Sequence, residues 1–483
     1  TIDGPVTLAT GAITVTTAND AITFNHTIDG AQTLTLVSGT AATILSGDIG
    51  ATTPLTGLTI TNGTANGTIT FGGNIGDGSG AGVEGTTLIG NTNTADLNFN
   101  STIYSFDGAT TITAASGDTI DIGAGAATTF TTAADNITFA TGNIELANGS
   151  NLTVDTGATG GNITIGEIAG TSVETVTLDA GTGTTSVGVI GTGTEIGAVT
   201  IGSAENGGIT LNGAITTDGA VTIDGPVTLA TGAITVTTAN DAISFNHTIN
   251  GAQALTLVSG TAATTIDGTI GGSTAISSLT ITNGTANGTI EIANIEGVSG
   301  ATAIGNTNTA TITLDGTTYS TDGTQTYTAA TGQNIDITGA ATFTTTNDNI
   351  SFATSGVDLA NNGTTTINTG TGAGNVSFGA AIEGNDASAP FNDLLVITSG
   401  TGNVTFTGAI GATNALGGLD VNSSAGDGDI TFTSTIGDTG NAGVVGTTAI
   451  GNAATADLNF NGATYSFDGA TTITAASGDT IDI

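Results

Sequence analysis

The residues in this chain that could do chemistry are carboxylates, and almost nothing of opposite charge stands near them. Forty Asp and Glu face no Lys, no Arg and two His, for a formal charge of −40 over 483 residues. Two carboxyl groups can serve as acid and base on a glycosidic bond, and Asp118/Asp121 and Asp479/Asp482 are closely spaced pairs. Both pairs sit in the same phrase, SGDTIDI, whereas a catalytic pair is expected to be a local singularity. Lysis of a polyuronate would also need cationic groups to hold the developing carbanion. Enzyme activity is therefore not expected.

Hard cations bind clusters of Asp, Asn and backbone carbonyls. Gly-rich acidic loops occur at Asp77-Gly78-Ser79, Asp427-Gly428-Asp429 and Asp438-Thr439. None matches a GGxGxD repeat or an EF-hand loop. Ca²⁺ or another divalent cation would choose Asp77, Asp427, Asp429 or Asp438, and diffuse screening of the negative charge is the competing expectation. No cofactor is otherwise expected. His26 and His247 occupy the same repeated string, FNHTI. A metal centre needs further ligands nearby, so they read as corner residues.

About sixteen Asn-x-Ser/Thr sequons include Asn25, Asn62, Asn66, Asn100, Asn136, Asn151, Asn246, Asn403 and Asn422. Many follow from a composition rich in Asn and Thr, and several are Asn-Gly turns. In a source that glycosylates its surface proteins, the outward ones would be sites. Thr-x-Thr pairs (Thr14/Thr16, Thr59/Thr61, Thr111/Thr113) resemble an ice-binding lattice, but uneven coil lengths would spoil its regularity.

Charge excludes other partners. Nucleic acid binding releases counterions from phosphates through cationic side chains, and anionic membrane surfaces attract the same groups; the chain has none. No run of about 18 apolar residues could cross a membrane. Without Cys, disulfides and thiolate metal sites are impossible. Without Met, the chain reads as a processed or excised segment. Any secretion signal is expected upstream, and an extracellular or cell-surface location is expected.

The chain repeats on two levels. Residues 1–30 reappear almost letter for letter as 222–251, and residues 69–122 as 430–483. This gives one continuous repetitive segment, 1–483, with long repeats 1–221 and 222–429 and a partial third copy 430–483. Neither end carries an atypical polar cap of the kind solenoids need, so the native polypeptide is expected to continue at both ends. A shorter phrase (hydrophobic, Thr or Ser, Phe, a few small residues, Ile, Gly) occurs at 22–30, 69–76, 376–384, 404–411 and 430–437. Val376, Val404, Ile430 and Leu458 mark intervals of 26 to 28 residues. Each interval holds three short apolar segments, such as Val404 to Phe406, Ile410, and Leu419 to Val421.

These segments alternate strictly, as in Ile13-Thr14-Val15-Thr16 and Leu58-Thr59-Ile60-Thr61. Period two with β-branched residues predicts half-buried strands. Asn62-Gly63, Asn66-Gly67 and Asp107-Gly108 punctuate them, as residues that tolerate positive φ. Strong helix formers are scarce. The fold class expected is all-β: a parallel, right-handed β-helix with about three strands per coil. Some 18 to 22 coils at about 4.8 Å each would make a rod about 90–105 Å long. Thr is expected on the outer faces. Phe24, Phe71, Phe378, Phe406 and Phe432 are expected inside, some stacked on others.

Residues 401–424, TGNVTFTGAIGATNALGGLDVNSS, resemble the repeat of the giant secreted β-strand-repeat adhesins of bacteria, the filamentous-haemagglutinin-like group. The resemblance implies exported, fibrous, adhesive or matrix-forming right-handed β-helices. The chain departs from that group in lacking Lys and Arg and in showing no secretion domain. The function expected is that of a structural segment of a giant secreted solenoid forming a filament, fibre or sheath. The runner-up is a rigid adhesin stalk whose binding domain, for glycans or host surfaces, lies outside this segment. The partner expected is the chain itself, end to end or side by side. Bundles would rest on Thr/Asn hydrogen bonds, apolar patches or bridging cations. A chelator or low ionic strength should then loosen bundles and leave each rod folded.

Overall fold

Alternating apolar and hydroxyl residues cannot bury both faces of a strand, so each short segment turns one face inward and needs neighbours above and below to pair its edges. The computed structural model satisfies this by stacking coils. It describes residues 1–483 except 65, 172, 205–206, 361–362, 386–390 and 423–425. Ser423 and Ser424, which end the resemblance phrase, lie outside the described residues. The described residues form strands and turns and no helix, and every strand pair given a register is parallel, as in the first and last of each ladder. The chain divides into two compact units, Thr1–Ala239 and Asn240–Ile483.

The first unit is built from three parallel ladders. One begins Ile13–Thr16, Thr33–Val37, Gly57–Thr61, Thr87–Gly90 and Thr110–Thr113. The next along the chain begins Ile22–Phe24, Thr43–Leu45, Gly67–Phe71, Thr94–Phe99 and Thr119–Ile122. The third passes from Ile28–Asp29 through single bridges at Ile49 and Ile75 to Tyr104, then Thr128–Thr131, Leu152–Asp155 and Val176–Asp179. The long strand Ile163–Ala169 serves two ladders: its start pairs with Ile137–Thr141 and its end with Asn143–Leu146.

The second unit repeats the plan. One ladder runs Ala254–Val258, Ser278–Thr282, Thr302–Ile304, Gln325–Tyr327, Ile350–Phe352, Val376–Phe378, Val404–Phe406, Ile430–Phe432, Leu458–Phe460 and Ile481–Asp482. The other two alternate with it, so each coil carries three strands or bridges. Val376, Val404, Ile430 and Leu458 are direct partners on successive coils. The interval read from the sequence is therefore one coil. Ile410 and Leu419, the other segments of that interval, fall in the remaining two ladders.

Burial follows the alternation: Ile-Thr-Phe at 430–432 reads buried, half-buried, buried. The interior is Ile, Val and Leu with aromatic rings in columns. In the second unit Tyr327, Phe352, Phe378, Phe406, Phe432 and Phe460 stack in succession, with centroids 5.2, 5.0, 5.4, 4.8 and 5.2 Å apart and planes within 15° of parallel. Phe71 and Phe99 stack likewise in the first unit. Phe24 is buried but does not join them, because Leu45 lies between it and Phe71.

Two expectations about small polar residues are revised. Thr43, Thr87, Thr264, Thr302 and Thr448 point inward and are buried, at positions that an adjacent coil fills with Ile or Leu. Asn62 is buried as well and is not among the positive-φ residues, whereas Asn66 is, at φ 76°. The Asn62 side chain instead donates to Ser38 Oγ and accepts from Thr94 Oγ1, tying three successive coils together inside a corner. Asn283 does the same with Ser259 and Thr309. The Gly that ends the short phrase has a strict role. Gly411 has φ 61°, and a Cβ there would stand 2.1 Å from the carbonyl oxygen of Gly443.

Candidate functional site

The polar groups with chemical potential lie at the corners and along the outer edges of strands, and the repeat spreads them out. Asp77 accepts hydrogen bonds from the Ser79 N–H and hydroxyl and from the Gly80 N–H. These bonds hold its carboxyl below the usual range. Asp438, the matching residue of the second unit, caps Gly440 and Asn441 in the same way, with the same downward shift. Both carboxylates already close their own turns.

Asp427 lines a shallow groove with Asn368, Gly370, Thr398, Gly400 and Thr401. Asp429 accepts from the Asp457 N–H of the next coil. Thus Asp77 stands in the first unit, while Asp427 and Asp429 share one corner of the second and Asp438 lies in the turn after the strand Ile430–Phe432. Among the described residues, no group of three or more His, Cys, Asp or Glu could hold a metal ion.

The carboxylate pairs are also separated in role. Asp118 lies in a turn closed on Ala115, while Asp121 lies on the strand Thr119–Ile122, level with Asn98 and Glu145 of the adjacent coils. Burial raises the Asp121 pKa, a hydrogen bond from Thr119 opposes the rise, and the neighbouring Asp96 charge adds to it. In the second unit Asp336, Asp358 and Glu383 stand level on three successive coils. Burial raises Asp336 and Asp358, with the Asp358 charge adding at Asp336 and an Asn334 hydrogen bond opposing at Asp358. These carboxylates form a row repeated from coil to coil, with no single acid set against a single base.

His26 is exposed and His247 half-buried. Each sits at a corner crossed by a Gly of the next coil, Gly47 and Gly268. A Cβ on either would come within 2.4 and 2.1 Å of the His backbone carbonyl carbon.

The sequons separate into two classes. Asn62 and Asn422 are fully buried, their amide nitrogens bonded to Ser38 and Ser399. Asn25, Asn66, Asn100, Asn136 and Asn403 are exposed, and Asn151 and Asn246 are half-buried. The exposed Asn136 and Asn403 have a structural origin. Each precedes an apolar–hydroxyl–apolar strand, and its Oδ1 accepts the backbone N–H of the equivalent residue one coil on, Asn162 and Asp429.

This corner ladder is what reading the sequence missed. It runs through Asn349, Asn375, Asn403, Asp429, Asp457 and Thr480, each backbone N–H donating to the side-chain oxygen of the residue before it. Its signal was present as Asn or Asp immediately before the apolar–hydroxyl–Phe triplets that begin at Ile137, Ile350, Val376, Val404 and Ile430.

No family model matches the chain, and neither a curated protein nor a solved structure does.

Proposed function

We propose that the chain is a structural segment of a giant secreted β-solenoid, serving as a filament, fibre or sheath outside the cell. The observation that carries this reading is that the same side-chain device recurs coil after coil. The aromatic column, the corner Asn/Asp ladder and the buried Asn–Ser–Thr ties each do one job many times. Catalysis and specific binding require one place unlike the rest; load bearing requires every place alike. Each coil contacts its neighbours alone, so stability grows as a sum along the stack.

The surface agrees with that role. It carries no Lys or Arg, so a trypsin-like protease has no bond to cut, and its one-sided charge keeps the exterior hydrated. Electron microscopy of cells labelled with an antibody to the chain tests the reading. Label along micrometre-long polymers supports it. Label confined to single rods that end in a globular tip replaces it with the adhesin stalk.

A further inference from the structure

The corner ladder of the second unit has an outer side as well as an inner one. In Asn349, Asn375 and Asn403 the Oδ1 is fixed by a backbone N–H of the next coil, at 2.8, 2.8 and 2.9 Å. That bond decides which amide atom faces the protein, because the donor must meet oxygen. Nδ2 is left turned away, with no partner among the described residues, and all three Asn are exposed. Asp429 and Asp457 spend Oδ1 in the same manner, on the Asp457 and Thr480 N–H groups. Their Oδ2 atoms have no partner among the described residues, and both residues are half-buried. The edge therefore reads three donors followed by two carboxylates and a hydroxyl, one per coil, at about 4.8 Å spacing.

We propose that this edge is a self-recognition surface on which the second unit of another copy docks antiparallel. In that arrangement Asn375 and Asn403 donate to the partner's Asp457 and the partner's Asp429, and the two carboxylates of the first copy receive the same bonds in return. The contact is isologous, as a two-fold pair requires.

Three physical facts select this occupant. An edge that repeats at the strand spacing matches the same edge of another copy coil for coil. Parallel, in-register docking would set Asp on Asp and amide on amide, so only the reversed direction places every donor on an acceptor. In a chain without Lys or Arg, side-chain amides and hydroxyls are the main donors that a carboxylate can be offered, and bonds to an ionised acceptor exceed neutral ones. The formal charge of −40 opposes the approach. Association must therefore strengthen as salt screens it, over a Debye length of about 8 Å at about 0.15 M. The inference rests on the proposed reading that copies associate, and names the contact.

Sedimentation velocity of the intact chain across a concentration series tests it. The expected wild-type result is a reversible dimer, favoured by added salt and indifferent to a chelator. Asn375→Asp with Asn403→Asp makes four successive edge positions acidic and is expected to weaken the dimer at least about tenfold. Folding survives, because Asp429 and Asp457 already fill the same ladder role; circular dichroism checks this. Adding Asp429→Asn and Asp457→Asn exchanges donors and acceptors and is expected to restore the dimer. A wild-type chain that stays monomeric up to about 1 mM, a doubly acidic variant that dimerises unchanged, or an exchanged variant that does not recover would each overturn the edge. Labelled polymers with an unaffected variant would remove the edge and leave the fibre reading standing. A solution dimer without polymers would do the reverse.

Discussion

The ring of Phe406 lies flat against that of Phe432 one coil away, their centroids 4.8 Å apart and their planes 5° from parallel. The two residues belong to paired strands of one parallel ladder, so backbone register and ring stacking reinforce each other. Phe406 is 1% exposed and also stacks on Phe378. Truncating it removes two stacked contacts and leaves a cavity. Phe406→Ala is expected to destabilise the second unit by about 3–5 kcal/mol, and Phe406→Leu by distinctly less. Urea denaturation followed by circular dichroism measures both.

Backbone approach gives a second prediction. Gly411 and Gly332 both have positive φ, 61° and 82°, but only Gly411 has backbone within reach of a new Cβ. Gly332→Ala meets open space and is expected to cost the conformational penalty alone, about 1–2 kcal/mol. Gly411→Ala is expected to cost clearly more, because the Gly443 carbonyl cannot move without displacing a coil. Equal losses in thermal unfolding would show that the coil can shift.

Inward Thr residues predict a gain. The Thr264 and Thr302 hydroxyls are buried without a hydrogen-bond partner, and an unsatisfied buried hydroxyl costs about 1–3 kcal/mol. Thr264→Val or Thr302→Val keeps the shape and removes the cost, so each is expected to raise the melting temperature. Asn283→Ala is expected to lower it, since Ser259, Ala262 and Thr309 all bond to that side chain.

Acid should first stabilise the second unit. Asp336 and Asp358 have raised pKa values, chiefly through burial. A carboxyl raised in the folded state favours folding when protonated, so its contribution is full below the ordinary Asp value and lost as pH rises through the raised one. Asp457 is lowered by its Thr480 hydrogen bonds and acts oppositely, losing its contribution as pH falls below the ordinary range. Stability is therefore expected to rise as pH falls from 7 toward the ordinary Asp range, then decline. Asp336→Asn with Asp358→Asn should raise stability at pH 7 and flatten that rise; an unchanged profile would contradict the assignment.

Sequence alone carried the ladders well, because alternation at Val404-Thr405-Phe406 and its spacing to Ile430 are both local and repeated. The stacked Phe residues followed from the same phrase. The corner devices were less legible. Asn62 and Asn66 each precede Gly in near-identical strings, yet Asn62 is buried between Ser38 and Thr94 and Asn66 takes positive φ. Asn403 looked like a sequon because a ladder Asn followed by an outward Thr spells one. The cation candidates Asp77 and Asp438 looked available because a turn cap and a cation ligand need the same carboxylate; only the neighbouring N–H groups tell them apart.

The most direct test of the central claim is cryo-electron microscopy of the native assembly that contains this chain. A long fibre with a layer line near 4.8 Å along its axis, and coils running without interruption, is the result expected. Discrete particles with a globular ligand-binding head, or strands lying along the fibre axis, would contradict it.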